Sequence, residues 1–261
     1  IDMKRLGMTS VAALALVLAI PAAGAEQEFD WSGAVATGKA VEVKGVNGGI
    51  EATGTSGGKV VLHAVKKGKK SDPAEVKIEV VEHAGGVTIC AVYPSTGEPN
   101  ECTPGEGGRM KVKKTAVSVS FEDAVPAGDH FIGRTVNGGI SASGIQARAE
   151  AHTVNGGIKV EAAGLTTAET VNGGIKATVG ETGWSDPVKL KRVTGGTTVS
   201  LRGVAAATVE AATVNGDIET DFPLTVKGKF GRRRIQGSIG GGGPLLELET
   251  VNGGIKLNKA S

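Results

Sequence analysis

The sequence predicts an all-β fold: a right-handed parallel β-solenoid of short repeats that follows an N-terminal β-region. Three observations favour this fold class. A five-residue phrase, VNGGI, occurs five times, and the near copy VNGDI occurs once. Glycine is abundant, with 42 residues among 261, but the G-X-Y period of collagen is absent. Valine and isoleucine recur along the chain, and their branched side chains pack well on the pleated surface of a sheet.

The spacing of the phrase sets the size of the repeat. From its second occurrence onward, intact and degenerate copies follow one another in steps of 16 to 22 residues. This period is too short for a βαβ unit or an ankyrin repeat, and it suits two short strands joined by two turns. Residues 158–162, with the sequence IKVEA, alternate apolar and polar side chains, as expected for a strand with one buried face. Residues 166–171 and 209–214 predict strands that precede the corner.

The phrase itself is typical of a tight corner between two strands. Asn and Gly adopt positive φ at low cost, and we expect the valine before them and the isoleucine after them to point into the core. In a solenoid the equivalent corners stack, so that the Asn side chains form a hydrogen-bonded ladder. The predicted ladder comprises Asn47, Asn137, Asn155, Asn172, Asn215 and Asn252.

The alternative architecture is an antiparallel β-meander or sandwich, in which Asn-Gly would form two-residue type I′ hairpins. The NGG corner is constant, whereas the turn after each Ile strand varies in length. A solenoid accommodates this difference because insertions collect on one side of the stack. We therefore favour the solenoid.

The first 25 residues predict a secretion signal peptide. Lys4 and Arg5 precede an unbroken apolar run, VAALALVLAI, at residues 11–20, and Ala23-Gly24-Ala25 matches the small-x-small pattern that a signal peptidase reads. This apolar core is about half of the ~20 residues that span a bilayer, and no later run is long enough. We expect an exported protein, in the periplasm or at the cell surface, without a transmembrane segment after cleavage.

Residues 26–125 are predicted to form the N-terminal β-region, and residues 126–261 the repeat array. The N-terminal region carries the first copy of the phrase and several alternating segments, such as VKIEVV at 76–81. It also contains both cysteines, Cys90 and Cys102. In an oxidising compartment a disulfide between them is expected, and closing a loop of this length stabilises by about 3 kcal/mol in the chain-entropy model.

The sequence contains no evident reactive cluster. The four histidines lack metal-ligand spacing, and the G-x-S-x-G nucleophile motif is absent. We therefore expect a non-enzymatic protein without a catalytic residue, cofactor or metal. The net charge of +2 argues against a nucleic-acid binder. One local basic cluster, Arg232, Arg233 and Arg234, is typical of a solvated loop and is also the candidate contact for an anionic ligand.

Several phrases together resemble the putative-adhesin family of bacterial β-strand-repeat (VNGGI-repeat) proteins, a domain of unknown function. They are the VPAG segment at Val125–Gly128, the serial TVNGGI phrases, DFPL at 221–224, IGGG at 239–242 and the closing ETVNGGIKL at 249–257. The resemblance covers about residues 30–258 and implies an extracytoplasmic β-solenoid without established catalytic activity. It supplies no catalytic residues to transfer to this chain.

These observations favour an exported β-repeat protein that acts as an adhesin or as a structural or interaction module of the cell envelope. The candidate partners are a cell-envelope component or a second copy that pairs through exposed edge strands. A first alternative is an envelope-stress sensor that binds a ligand through the disulfide loop or the arginine cluster. A second is a carbohydrate-active β-helix enzyme, which the aromatic content of 3% disfavours because sugar grooves use aromatic platforms.

Overall fold

The computed structural model describes residues 25–106, 110–164, 166–179, 187–203, 206–227 and 233–260. These residues form 21 strands and one short 3₁₀ turn at Pro73–Glu75, and this part of the chain contains no α-helix. The strands assemble into two large mixed sheets, sheet A with ten strands and sheet B with eleven. The all-β prediction is confirmed. The predicted signal peptide, up to residue 24, lies outside the described residues.

The strands are numbered in chain order. They are β1 (Ala25–Gly33), β2 (Ala40–Lys44), β3 (Ile50–Thr55), β4 (Val60–Gly68), β5 (Lys77–His83), β6 (Gly86–Val92), β7 (Val117–Pro126), β8 (His130–Arg134), β9 (Ile140–Ile145), β10 (Ala149–Asn155), β11 (Ile158–Ala162), β12 (Thr166–Asn172), β13 (Ile175–Val179), β14 (Val188–Thr194), β15 (Thr197–Leu201), β16 (Ala207–Asn215), β17 (Ile218–Thr220), β18 (Thr225–Lys227), β19 (Arg233–Ile239), β20 (Leu245–Asn252) and β21 (Ile255–Lys259). In space, the order across sheet A is β1-β4-β7-β3-β9-β11-β13-β15-β21-β17. Across sheet B it is β18-β19-β16-β20-β14-β12-β10-β8-β2-β6-β5.

Each repeat forms one coil, which consists of a strand in sheet B, an NGG-type corner and a strand in sheet A. In the coil of β10 and β11, the corner glycines are Gly156 and Gly157. Strands of neighbouring coils pair in parallel, so that equivalent residues stack. Ile158, for example, lies beside both Ile140 and Ile175. The result is the solenoid-like stack that the repeat predicts, with the core between the two sheets.

The coils do not stack in chain order. The first coil, β2 with β3, lies between the strands β6 and β7, which the disulfide loop rather than an NGG corner connects, and the coil of β8 with β9. The last coil, β20 with β21, is inserted between β14–β15 and β16–β17. Both sheets therefore run continuously from the predicted N-terminal region into the predicted repeat array.

The two ends of the stack pair antiparallel, and at the C-terminal end this makes the prediction of a parallel array over residues 126–261 wrong. β4 and β1 extend sheet A with antiparallel pairing, and β5 extends sheet B in the same way. At the opposite end, β19 pairs antiparallel with β16, and β18 with β19. The physical reason is that a terminal coil has no further coil to pair with. An antiparallel return satisfies its backbone groups from within the chain.

The valine of the phrase faces solvent in every copy except the first, where Val46 is partly buried, contrary to the prediction that it points into the core. The equivalent valines are 39–41% exposed; they are Val136, Val154, Val171, Val193, Val214 and Val251. The isoleucine after the corner is buried, as at Ile158. Strand alternation explains the difference, because the residue before each of these valines points inward, and in five of the six coils that residue is threonine. In four of these five coils the threonine hydroxyl donates to a corner carbonyl of the neighbouring coil, as from Thr153 to Gly138 O at 2.9 Å.

The first glycine of each corner is required by the close stacking of the coils. A Cβ on Gly156 would lie 2.0 Å from the carbonyl oxygen of Gly138, and a Cβ on Gly173 would lie 1.9 Å from that of Gly156. The second glycine is less constrained. A Cβ on Gly174 would lie 3.5 Å from its nearest contact, an ordinary van der Waals distance. In the coil of β16 and β17, Asp217 occupies this second position.

The asparagine of the corner acts through its side chain. No asparagine of the described residues has positive φ, so the backbone role expected from the sequence is wrong. Side-chain amides donate to one another across the stack, from Asn137 to Asn47, Asn155 to Asn137 and Asn172 to Asn155 at 2.9 Å, and from Asn215 to Asn252 at 2.8 Å. Thr194 lies between Asn172 and Asn252, so the hydrogen-bonded rows form two separate segments.

Gly173→Ala and Gly174→Ala form a matched pair that separates the two glycine positions. We expect Gly173→Ala to lower the free energy of unfolding by about 2 kcal/mol or more, because the stacked backbones would have to separate. Gly174→Ala should change it by less than about 1 kcal/mol. Denaturant unfolding followed by circular dichroism measures both values. Equal losses at the two positions would contradict the role assigned to the first glycine.

Asn155→Ala removes a central member of the longer asparagine row and with it two side-chain hydrogen bonds. We expect a loss of about 1 kcal/mol, since these bonds are exposed to water and each contributes modestly. Thr194→Asn should have the opposite effect, because it would join the two segments. Thermal melting of both variants beside the wild type measures the change. An unaltered melting temperature for Asn155→Ala would show that the row does not stabilise the stack.

Asp123 places a carboxyl group in the apolar core without a hydrogen-bond partner among the described residues. It lies in β7 between Ala52 and Leu62 of the adjacent strands. Burial raises the pKa of Asp123 well above its ordinary value. The folded state therefore holds a proton here under conditions in which the unfolded chain, with an Asp pKa of about 3.9, releases it.

This difference predicts a specific pH dependence of stability. Because the folded-state pKa is raised, the contribution of Asp123 is fully present below about pH 4 and is lost as the pH rises toward the folded-state pKa. Asp123→Asn should therefore reduce the decline in unfolding free energy between about pH 4 and pH 7. Denaturant titrations across this range measure it, with Glu122→Gln at the exposed neighbouring position as the control. A decline that is identical in Asp123→Asn and the wild type would contradict a protonated Asp123.

Candidate functional site

An open groove of about 720 Å³ crosses the corner side of sheet A. Its floor is formed by the second glycine of five stacked corners and by isoleucines that follow them. These glycines are Gly49, Gly139, Gly157, Gly174 and Gly196. Because each glycine belongs to a different coil, the groove runs along the stack and across the strands.

Polar side chains that project outward from sheet A line the groove. In order along the stack they are Glu122, Glu51, Ser141, Lys159, Lys176 and Thr198. Strand register places them in one row, with one residue from each neighbouring strand. The row changes from acidic at one end to basic in the middle, and hydroxyl groups flank the basic part on both sides.

Lys159 and Lys176 are directly paired positions on adjacent strands. In the described part of the chain, neither takes part in an ion pair. Two like charges on directly opposed positions repel each other. The contrast is Lys256, further along the same row, which lies 2.8 Å from Glu219. The groove therefore contains uncompensated positive charge that an anionic group would stabilise.

Coil stacking does not by itself require glycine along the basic part of the groove. A Cβ on Gly157 would lie 3.6 Å from the carbonyl oxygen of Gly174, and a Cβ on Gly196 would have no contact within 4 Å. A side chain at either position would narrow the floor of the groove. Glycine therefore keeps the groove open and leaves its peptide groups accessible to a ligand.

The predicted disulfide is confirmed, and it lies away from the groove. Cys90 and Cys102 are bonded, with Cα atoms 5.5 Å apart. The chain beyond Cys102 is fastened to the outer side of sheet B by the buried carboxylate of Glu42. That carboxylate accepts hydrogen bonds from the Thr88 hydroxyl at 2.9 Å and from the Gly105 N–H at 2.8 Å. The described part of this loop therefore covers part of sheet B and contributes no residue to the groove.

The arginine cluster is engaged within the chain. Arg233 forms an ion pair with Asp217, and Arg234 Nη2 lies 3.2 Å from Glu210 Oε2. Arg232 lies outside the described residues. Asp217 and Glu210 thus compensate the positive charges of Arg233 and Arg234 that an anionic ligand would need. Binding of an anionic ligand by the cluster stays a prediction.

The histidines lie at separate places in the sheets. His63 Nδ1 is 2.7 Å from Asp30 Oδ1, and this hydrogen bond raises the pKa of His63. His152 lies on sheet B beside Glu150 and Glu169. Across the described ranges, no group of three His, Cys, Asp or Glu residues is arranged to hold a metal ion. No helix of this same part of the chain is long and apolar enough to cross a membrane.

The groove is absent from the sequence predictions. On a single strand, outward Glu–Lys alternation predicts only a solvated face. The sequence feature that could have indicated the groove is the dipeptide Ile-Lys, which follows two successive corners at 158–159 and 175–176. Parallel stacking in register turns this repetition into two adjacent lysines.

Several solved structures are similar to this chain. A putative cell adhesion protein from Clostridium sporogenes ATCC 15579 has 12% identity and a TM-score of 0.42, covering 90% of this chain and 100% of that chain. A putative adhesin from Bacteroides fragilis NCTC 9343 has 12% identity and a TM-score of 0.36, with coverage of 90% and 97%. A putative lipid binding protein from Parabacteroides distasonis ATCC 8503 has 9% identity and a TM-score of 0.26, with coverage of 92% and 98%. No curated protein matches.

The family model described as Toastrack DUF4097 matches residues 39–258. The match begins at the first coil, β2 with β3, and extends to the last strand, β21. It therefore includes the groove, the disulfide and every coil of the stack. The chain belongs to the Toastrack DUF4097 family, a domain of unknown function.

Proposed function

We propose that this protein is an exported, non-enzymatic interaction module that binds a component of the cell envelope or of another cell through its glycine-floored groove, as an adhesin does. The observation that carries the proposal is the adjacent pair Lys159 and Lys176, whose charges are uncompensated in an open groove. Export to the periplasm or cell surface accords with the signal peptide expected at residues 1–25. A right-handed winding of the coils is part of the same proposal, because crossovers between parallel strands of one sheet are almost always right-handed.

The chemistry of the groove favours an extended anionic polymer, such as an acidic glycan. Its basic part presents ammonium and hydroxyl donors in a row, from Ser141 through Lys159 and Lys176 to Thr198. Successive donors are one strand spacing apart, about 4.8 Å. A linear chain that lies along the stack would meet each of them in turn, whereas a compact ligand would use only one or two.

The groove is preorganised because neighbouring coils hold its floor on both sides. On one side Ile158 N–H donates to Gly174 O at 2.9 Å, and on the other side Gly157 O accepts from Ile140 N–H at 3.0 Å. Binding to a preformed surface avoids the entropy cost of ordering a loop. Charge contacts at an open site weaken as ionic strength rises, so hydroxyl and peptide groups are needed for binding at physiological salt.

Charge reversal of the lysine pair tests the proposal. Residues 26–261 with Lys159→Glu and Lys176→Glu are titrated beside the wild type against isolated envelope and a purified acidic polysaccharide, at low and physiological salt. We expect at least a tenfold rise in Kd, equivalent to about 1.4 kcal/mol. Lys69→Glu with Lys70→Glu is the matched control, since it makes the same charge change at exposed positions outside the groove. An equal loss in this control would overturn the groove assignment.

A second variant obstructs the groove without changing its charge. Gly174→Leu places a side chain on the floor at a position where a Cβ is sterically tolerated. It should weaken binding while the circular dichroism spectrum stays native.

The double variant Arg233→Glu with Arg234→Glu tests the arginine cluster in the same assay. A loss of binding confined to that variant would place the binding site at β19 instead of the groove. Shortening of the polysaccharide during the titration would contradict a non-enzymatic protein.

A further inference from the structure

One coil departs from the repeat at three places. In the strand before the corner, Arg192 occupies the inward position that is threonine in five other coils. Thr194 then replaces the corner asparagine, and Thr197 replaces the buried isoleucine. The five threonines are Thr135, Thr153, Thr170, Thr213 and Thr250. Arg192 and Thr197 both point inward, one before and one after the same corner. They therefore change the same part of the interior of the stack.

Arg192 is buried, and protein partners satisfy only part of its guanidinium group. The residue is 5% exposed, and its Nη2 donates to Gly254 O at 3.0 Å. Nε and Nη1 have no partner among the described residues. The hydroxyl groups of Thr197 and Thr250 are buried as well, and they likewise have no partner there.

Backbone register brings these groups to one corner. Arg192 is directly paired with Thr250 in sheet B, and both are buried. Thr197 is the first residue of β15, just beyond the corner of the coil that contains Arg192. Glycine leaves room for the guanidinium here, since a Cβ on Gly195 would lie 2.8 Å from Nη1, and one on Gly253 would lie 2.9 Å from Nη2.

The charge of Arg192 has no carboxylate partner in the described chain. The adjacent strand β20 carries Glu247 and Glu249, but both form ion pairs with Lys191 on the outer face. Lys191 Nζ lies 3.1 Å from Glu247 Oε1 and 3.3 Å from Glu249 Oε2. Strand alternation turns those carboxylates away from the interior. Burial lowers the pKa of Arg192 to about 10, so the group is still charged at neutral pH. A buried charge without a counter-charge is strongly unfavourable.

We propose that Arg192, Thr197 and Thr250 bind a small monovalent anion of the halide class, with chloride as the ion in solution. Each unpaired group can donate a hydrogen bond, which suits an anion. One negative charge balances one guanidinium, whereas a divalent oxyanion would leave excess charge in the apolar interior. A water molecule in the same place would satisfy hydrogen bonds but would leave the charge uncompensated.

Anomalous diffraction from bromide tests the site directly. Crystals of residues 26–261 are grown in sodium bromide, and data are collected at the bromine absorption edge. We expect an anomalous peak within hydrogen-bonding distance of the Arg192 guanidinium. A water molecule or a protein acceptor at that position, without anomalous signal, would overturn the proposal.

The dependence of stability on chloride provides a measurement in solution. At constant ionic strength, with gluconate exchanged for chloride, the unfolding equilibrium constant of the wild type should fall about tenfold for each tenfold rise in chloride above the dissociation constant. The variant Arg192→Thr, Thr194→Asn, Thr197→Ile restores the repeat and should not respond to chloride. Thr197→Val removes one donor at nearly constant volume and should shift the response to higher chloride, so the test does not depend on folding of the triple variant. An equal response in the wild type and both variants would contradict the site.

Discussion

Contact between the corner backbones is the constraint on which the rest of the stack depends. The carbonyl oxygen of Gly138 lies where a side chain on Gly156 would begin. The same oxygen accepts the hydroxyl of the inward residue Thr153. Gly156 and Thr153 belong to the same coil, and Gly138 belongs to its neighbour. A change of strand register would therefore break the glycine contact and the threonine hydrogen bond together. The contact therefore fixes which side chains face the core and which face solvent.

This constraint also separates the two glycines of the phrase. The first is demanded by packing, because neighbouring coils leave no volume for a Cβ. The second borders the groove, and Asp217 shows that the corner can be built with a side chain in its place. Since all corners stack in register, any residue at a given repeat position becomes part of a straight row on the surface. The pair Lys159 and Lys176 is a consequence of that geometry, and so is the open floor beneath it.

Features with a local cause were predictable from the sequence. Alternation within residues 158–162 is enough to define a strand and its buried face, and two cysteines in a chain expected to be exported predict one disulfide. The outward valine was not predictable, because its orientation depends on a hydrogen bond from Thr153 to a different coil. The order of the coils was also hidden, since the corners at 214–218 and 251–255 offer nearly the same surface to a neighbour. The groove depends on both register and order, so it emerges only when the stack is assembled.

The regular coils show which residue each position requires, so they can be compared with the irregular coil of β14 and β15. Thr213 shows what packing requires at the position of Arg192: a small neutral side chain that donates to a corner carbonyl, here Gly253 O at 3.0 Å. Arg192 brings a charge to that interior position, Thr194 interrupts the asparagine row, and Thr197 gives up an apolar contact. Each change alone destabilises the coil, yet the three together create a cluster of donors. An anion bound there would offset their combined cost, and the stability of this coil would then depend on the ions in solution, whereas coils that follow the repeat would not.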